Sequence, residues 1–303
     1  MDAWTRWLRQ PQSFWLRKAL FQVHLWVGIA IGVYILVICL TGSILVYRNE
    51  LYARFAATPV RVTSSGVPMS EAELSALAQR AYAGFDVANF FPGREPDHAV
   101  EIILQRDTER IQRLFDPYTG RDLGNAVPVG FRITAWLLDL HDNLLGGETG
   151  RRVNAVGAAL VLVLATTGAV IWWPGVKSWR RSLTFVVKPR QRFTWRLHSA
   201  LGFWFVGFVV MWGASGLYLA YPQPFSTAVE RMEPFYPAYR FGERFLYWLG
   251  YAHFGRFANR IPGCGPACGA TLKAVWAVFA IVPVVLFVTG TLIWWNRVLR
   301  RRV

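Results

Sequence analysis

The chain has 303 residues, of which 54% are hydrophobic and 16% aromatic, and it carries a formal charge of +15. Such an apolar composition, gathered into long runs, excludes an ordinary soluble domain. The charge alone would suggest a nucleic-acid partner, but its placement along the chain excludes that reading.

A membrane-spanning helix needs about 20 consecutive apolar residues at a rise of about 1.5 Å each. Residues 1–47 hold an N-terminal basic segment and a first predicted span over 20–47. This run is too long for the apolar region of a signal peptide and no small-residue cleavage site follows it, so we read it as retained. Residues 48–152 then form an extracytoplasmic region. Ser70-Glu71-Ala72-Glu73 is a capping box that opens an amphipathic helix through Leu74, Leu77 and Ala81. Two strand-like runs follow, over 98–105 and 110–115, and Asp116-Pro117-Tyr118-Thr119-Gly120 is a turn signal. These patterns predict a small α+β domain. A Trp- and Leu-rich amphipathic helix over 131–145 then leads along the membrane surface. The second span is predicted over 153–173, a basic loop over 174–196, the third span over 197–221 and a second outer segment over 222–269. Residues 270–303 contain the fourth span, from 272 to 295, and a basic tail. Only Lys273, at the edge of the fourth span, interrupts these otherwise charge-free runs.

Arg6, Arg9, Arg17 and Lys18 precede the first span. Lys177, Arg180, Arg181, Lys188, Arg190, Arg192 and Arg196 lie between the second and third, and Arg297, Arg300, Arg301 and Arg302 follow the fourth. The only acid in these three segments is Asp2, so nearly all the excess charge falls on one side of the membrane. Under the positive-inside rule that side is the cytoplasm, with both termini on it. The basic clusters therefore read as topology signals, and no nucleic-acid partner is expected.

The spans repeat. The first reads His24-x3-Gly28-x13-Gly42-x4-Tyr47 and the third His198-x3-Gly202-x13-Gly216-x4-Tyr221. The second contains Thr167-Gly168-x3-Trp172-Trp173 and the fourth Thr289-Gly290-x3-Trp294-Trp295, each with an upstream outer histidine, His141 or His253. The expected fold is an all-α membrane protein, a four-helix bundle built from a duplicated helix pair, with the small α+β domain outside. Parallel repeats of this kind are related by an axis along the membrane normal. That axis would bring His24 to His198 near the cytoplasmic end and His141 to His253 near the outer end. Facing histidines supply the two axial nitrogens of a haem iron, so two haems are expected. Gly28 and Gly42, with Gly202 and Gly216, fall on the histidine side of their helices. Their missing side chains leave two readings open, room for a porphyrin or close helix packing. His98, without a repeat partner, reads as a solvated residue of the outer domain.

Cys39 reads as packing within the first span. Cys264 and Cys268 lie outside the membrane, where both a local disulfide and free thiols are open. No Walker loop, dinucleotide fingerprint or Ser-His-Asp pattern is present. The basic loop of 23 residues is too short for a flavin or nicotinamide domain, so electrons are expected from a separate donor, a soluble reductase or a membrane quinol.

The repeated His/Gly pattern resembles the bacterial PepSY-associated transmembrane family. So do Leu140-His141 with Gly146-Gly147-Glu148-Thr149-Gly150, and the run from Phe287-Val288-Thr289-Gly290 to Trp294-Trp295-Asn296-Arg297. The segment around Asp116 to Gly120 is similar to the PepSY domain itself. The chain departs from the family pattern at Cys264-Gly265-Pro266-Ala267-Cys268. The resemblance implies an iron-regulated protein of the bacterial inner membrane with two b-type haems, reducing a ferric siderophore or another ferric chelate. Two other classes are open on the residues: a haem-free anchor displaying the PepSY-like domain to an extracytoplasmic partner, and a transporter. The spans lack the charged or broken-helix features of transporter sites.

Overall fold

The computed structural model describes residues 15–174, 190–234, 236 and 240–299. Arg6, Arg9, Lys177, Arg180, Arg181, Lys188 and Arg300 to Arg302, which carry much of the topology signal, lie outside the described residues. In chain order the elements are α1 (Trp15–Ala30), α2 (Gly32–Leu45), α3 (Arg48–Arg54), α4 (Glu71–Ala81), β1 (Asp86–Phe91), β2 (Val100–Arg106), β3 (Glu109–Phe115) and β4 (Asp122–Asn125). They continue with α5 (Val129–Asn143), α6 (Gly147–Trp172), α7 (Arg190–Ala220), α8 (Pro222–Met232), α9 (Phe241–Phe254) and α10 (Pro266–Trp294). The chain divides into two units, one of residues 1–47 with 137–303 and one of residues 48–136.

In the first unit, α6, α7 and α10 are each long and apolar enough to cross a membrane. The predicted first span is not one straight helix. It breaks at Ile31 into α1 and α2, which meet at 62° and together make a fourth candidate span. The cause is local. Ile31 leaves helical geometry at φ −100° and ψ 10°, between Gly28 and Gly32, two residues of low helix propensity. A Cβ on Gly32 would lie 1.8 Å from the Phe287 ring of α10, so the glycine lets that ring in at the bend. The helices pack in a closed sequence: α6 against α1 and α7, and α10 against α7 and α2. α9 packs along α7.

The second span starts earlier than its apolar run predicts, at Gly147. Leu144, Leu145 and Gly147 all have positive φ, giving a tight reversal between α5 and α6. Gly150 permits it, because a Cβ there would fall 1.7 Å from the Asn143 carbonyl oxygen. Cys264 and Cys268 form a disulfide across a Cα separation of 5.3 Å that ties the residues before α10 to its first turn, which resolves the open alternative in favour of the bond. Cys39 is a free, half-buried thiol in α2.

The second unit is the predicted small α+β domain. Ser70 caps α4 through the expected capping box with Glu73. Val100, Ile102 and Leu104 alternate onto one face of β2 and bury Leu74 and Ala78 of α4, with Phe115 completing the core. The sheet is an antiparallel meander in the order β1-β2-β3-β4. β2 and β3 correspond to the two predicted strands. β1 and β4 were not predicted: β1 is mostly exposed and carries a register shift, and β4 has four residues including Gly124. The Asp116 turn forms as read, its carboxylate accepting from the Tyr118 and Thr119 backbone N–H groups.

His98 is not solvated. Its side chain is only 11% exposed and lies 3.8 Å from Glu95, because residues 60–62 fold back on 97–99 through two backbone hydrogen bonds. Glu95, Asp97 and His98 converge closely enough to suggest a metal site. However, Arg61 pairs with both carboxylates and supplies the positive charge that a cation would otherwise bring.

On the sheet, Asp122 accepts from Arg113 at 2.7 Å, from the Tyr82 hydroxyl and from the Gly124 N–H. Burial pushes the Tyr82 phenol up to about 12, with the Asp122 contact adding to it. Burial also pushes the Asp122 carboxyl upward, but the three donors outweigh it and the net shift is downward. A depressed folded-state value means the stabilisation is complete above the ordinary carboxylate range and is lost as pH falls through the folded value. Amide protection factors in β3 and β4 of the full chain, taken relative to the intrinsic exchange rate at each pH, should therefore fall on acidification below about pH 4. In Asp122→Asn that pH dependence should be much weaker, with lower protection at neutral pH.

Candidate functional site

All four repeat-related histidines belong to the first unit, and they meet in two pairs. The ring centres of His24 on α1 and His198 on α7 lie 6.4 Å apart, with planes at 86°. Those of His141 on α5 and His253 on α9 lie 6.1 Å apart, with planes at 60°. A metal bridged by two imidazoles sets a comparable spacing. About 2 Å from metal to nitrogen and about 1.1 Å from nitrogen to ring centre, doubled, give roughly 6.2 Å.

Each ring is held by its Nδ1. His24 Nδ1 lies 3.1 Å from Thr167 Oγ1 and 3.1 Å from the Leu164 carbonyl oxygen, both on α6. His198 Nδ1 lies 2.9 Å from Thr289 Oγ1 on α10. His141 Nδ1 lies 3.0 Å from Thr41 Oγ1 and 3.0 Å from the Ile38 carbonyl oxygen on α2. His253 Nδ1 lies 2.7 Å from Ser215 Oγ on α7.

The hydroxyls themselves donate back along their own helices: Thr41 to Val37, Thr167 to Val163, Thr289 to Val285 and Ser215 to Trp212. Ser215 Oγ lies nearer His253 Nδ1, at 2.7 Å, than the Trp212 carbonyl oxygen, at 3.2 Å. Each threonine hydroxyl lies nearer its carbonyl and, with its proton committed there, can only accept from the imidazole. Nδ1 must then carry the ring proton, and the Nε2 lone pair is left for a metal. The carbonyls of Leu164 and Ile38 impose the same tautomer directly. A metal-binding histidine ordinarily has this outer support.

The glycines divide by role. A Cβ on Gly42 would sit 2.9 Å from His141 Cε1, on Gly168 3.1 Å from His24 Cε1, and on Gly290 3.2 Å from His198 Cε1. These three seat histidine rings. Gly28 and Gly202 would meet only Leu164 and Leu286, at 3.6 and 4.0 Å, and Gly216 only Ala158, at 3.6 Å. A side chain at these three would meet only ordinary packing contacts and no histidine, so they do not seat the rings.

Several site residues went unrecognised in the sequence reading. Thr41 and Ser215 stand 17 residues after His24 and His198 respectively, immediately before Gly42 and Gly216. Thr167 and Thr289 precede Gly168 and Gly290 in the same way. A hydroxyl-glycine pair in all four spans was therefore legible as a signal. Asn154 was not. Its amide donates to the His141 and Asp142 carbonyl oxygens at 2.9 and 2.8 Å and accepts from Tyr34 at 2.8 Å, clamping the helix end that presents His141. Tyr34 reaches it over Gly157, whose Cβ would lie 2.2 Å from the phenol ring.

On α9, the helix that carries His253, Tyr247, Tyr251 and Phe254 line an open cavity of about 270 Å³ together with Tyr218 and Arg256. Arg260 bonds Tyr247 and Tyr251 at its rim, at 2.5 and 3.2 Å. Aromatic faces beside guanidinium groups suit flat, electron-rich ligands.

No curated protein matches the chain. A family model for the PepSY-associated TM region matches residues 21–238 and 229–297, taking in all four repeat-related histidines and the candidate spans except the first six residues of α1. The chain therefore belongs to the PepSY-associated transmembrane family.

Proposed function

We propose that this protein is a di-haem b-type electron carrier of the bacterial inner membrane that reduces an extracytoplasmic ferric chelate, such as a ferric siderophore. In this reading the candidate spans form a four-helix bundle of two repeated helix pairs, with both termini cytoplasmic. The observation that carries the proposal is the spacing of the two imidazole pairs, with every Nδ1 engaged and every Nε2 directed away from its own anchor. His24 and His198 would hold the inner haem, and His141 and His253 the outer one. When bound, haem supplies reversible one-electron iron chemistry. Two imidazoles per iron leave no coordination position for oxygen or substrate, so the residues favour carrying electrons over ligand activation.

The cavity along α9, the helix that carries His253, supports an outer acceptor. Its aromatic and guanidinium lining matches an anionic chelate, and iron released as Fe(II) is held less strongly by hard oxygen donors. The donor in this reading is a separate cytoplasmic reductase or a membrane quinol.

The purified protein should give a b-type reduced-minus-oxidised spectrum with two haems per chain. His24→Ala or His198→Ala should each remove one haem, and His141→Ala or His253→Ala the other, leaving about half the absorbance each time. A protein without haem would contradict the proposal and favour a membrane anchor.

The hydroxyl anchors give a second expectation. Ser215 is the one hydrogen-bond partner of His253 Nδ1 among the described residues. Ser215→Ala should weaken outer-haem binding by about 10- to 100-fold. It should also raise that haem's midpoint potential, because an imidazole that no longer donates through Nδ1 stabilises Fe(III) less. Ser215→Thr should restore both, as measured by haem titration and spectroelectrochemistry.

A further inference from the structure

Six buried side-chain donor atoms have no hydrogen-bond partner among the described residues: Arg17 Nη1, Arg113 Nε and the indole N–H groups of Trp172, Trp173, Trp276 and Trp294. Four of these, those of Arg17, Trp172, Trp173 and Trp294, belong to helix ends beyond the His24 and His198 pair. A buried N–H without an acceptor forfeits its hydration for nothing in return, so four together need a physical reason.

Their positions give one. Trp172 stands four residues after Gly168, and Trp294 four after Gly290, the two glycines that abut the inner histidines. A step of four residues keeps to the same helix face and advances about 6 Å along the axis. Trp172 and Trp294 are therefore repeat-related donors, each one turn beyond an inner histidine on the stripe that seats it. Arg17 stands seven residues before His24, within about 20° of the same face. Its other terminal nitrogen, Nη2, donates to the Ile171 carbonyl oxygen next to Trp172, which pins the guanidinium and leaves Nη1 over.

An interfacial tryptophan ordinarily turns its N–H toward lipid headgroups and water. Trp295 is 54% exposed, whereas the indole nitrogen of its neighbour Trp294 is buried. The missing partner must be an acceptor that reaches inward of the aqueous boundary, is anionic enough to face a guanidinium, and lies about one helical turn from the histidine pair. The propionate edge of a haem bound between His24 and His198 has these properties.

We propose that Arg17, Trp172 and Trp294 form the propionate-binding site of the inner haem. This assignment rests on the di-haem reading. Arg17 Nη1 gives a charge-assisted bond and the indoles give neutral ones, all to carboxylate oxygens. They orient the haem with its propionates toward the helix ends that carry Trp172 and Trp294, and they give partners to three of the four donors left over there, all but Trp173.

The test uses the full-length, haem-loaded protein in detergent, with Arg17→Met, Arg17→Lys, Trp172→Phe, Trp294→Phe and, as control, Trp295→Phe. Haem loss to excess apomyoglobin and the midpoint potentials of both haems are measured. Trp→Phe removes the N–H and keeps the ring. Each of Trp172→Phe, Trp294→Phe and Arg17→Met should speed the loss of one haem by about tenfold and leave the other haem as an internal control of folding. Arg17→Met should also lower the midpoint of that same haem, since a lost positive charge favours Fe(III), and Arg17→Lys should restore it. Trp295→Phe should change neither quantity. A wild-type protein with two haems whose loss rates and midpoints stay within twofold in all three variants would overturn the propionate assignment and leave the di-haem reading standing. A wild-type protein without haem would overturn both.

Discussion

An imidazole can present Nε2 to a metal only if Nδ1 keeps the proton and something holds it there, and inside a membrane that partner must come from the protein. Here it is a hydroxyl on a neighbouring helix, committed in the threonines by its own proton to a carbonyl one turn back. His24 is tied to α6 through Thr167 and His198 to α10 through Thr289. His141 is tied to α2 through Thr41 and His253 to α7 through Ser215. Each bond does two things: it fixes a tautomer and it joins two elements. The glycine after the hydroxyl completes the arrangement in three of the four cases by letting the ring lie against the helix.

The duplication keeps this chemistry while the backbone diverges. α7 runs unbroken over 31 residues, but its counterpart is bent by 62° at Ile31. Even so, Thr41 and Ser215 perform the same task on histidines that arrive by different routes. His141 comes from α5, held by the Asn154 clamp and a reversal with two leucines at positive φ. His253 comes from α9, followed by Gly255 in the left-handed region and a disulfide-closed turn. Backbone strain near a ligand is tolerated when the surroundings over-determine it, and at His141 the tyrosine, asparagine and helix-end carbonyls supply those surroundings.

Much of this was legible in the sequence because membranes impose simple rules. Apolar runs gave the candidate spans, and identical spacing from His24 to Gly42 and from His198 to Gly216 gave the histidine pairing. What the pattern could not reveal was geometry between segments. The bend at Ile31 has local glycines beside it, but the Phe287 ring that packs against Gly32 there comes from some 250 positions away in the chain. The burial of His98 depends on residues 60–62 folding back, and β1 is too exposed to show a strand alternation. The glycines were read as one class, yet Gly42 seats a ring while Gly28 and Gly202 face leucines at ordinary packing distance. The hydroxyls were overlooked because Thr and Ser in an apolar helix ordinarily bond their own backbone. Here they do that and also anchor a histidine.

The central claim is that each iron is held between two imidazoles. Electron paramagnetic resonance of the oxidised protein tests it without reference to any reaction partner. The account predicts two low-spin ferric haem signals of equal intensity and no high-spin signal. A substantial high-spin ferric component in freshly purified protein, or a single low-spin species at full haem loading, would contradict the paired-histidine geometry on which the function depends.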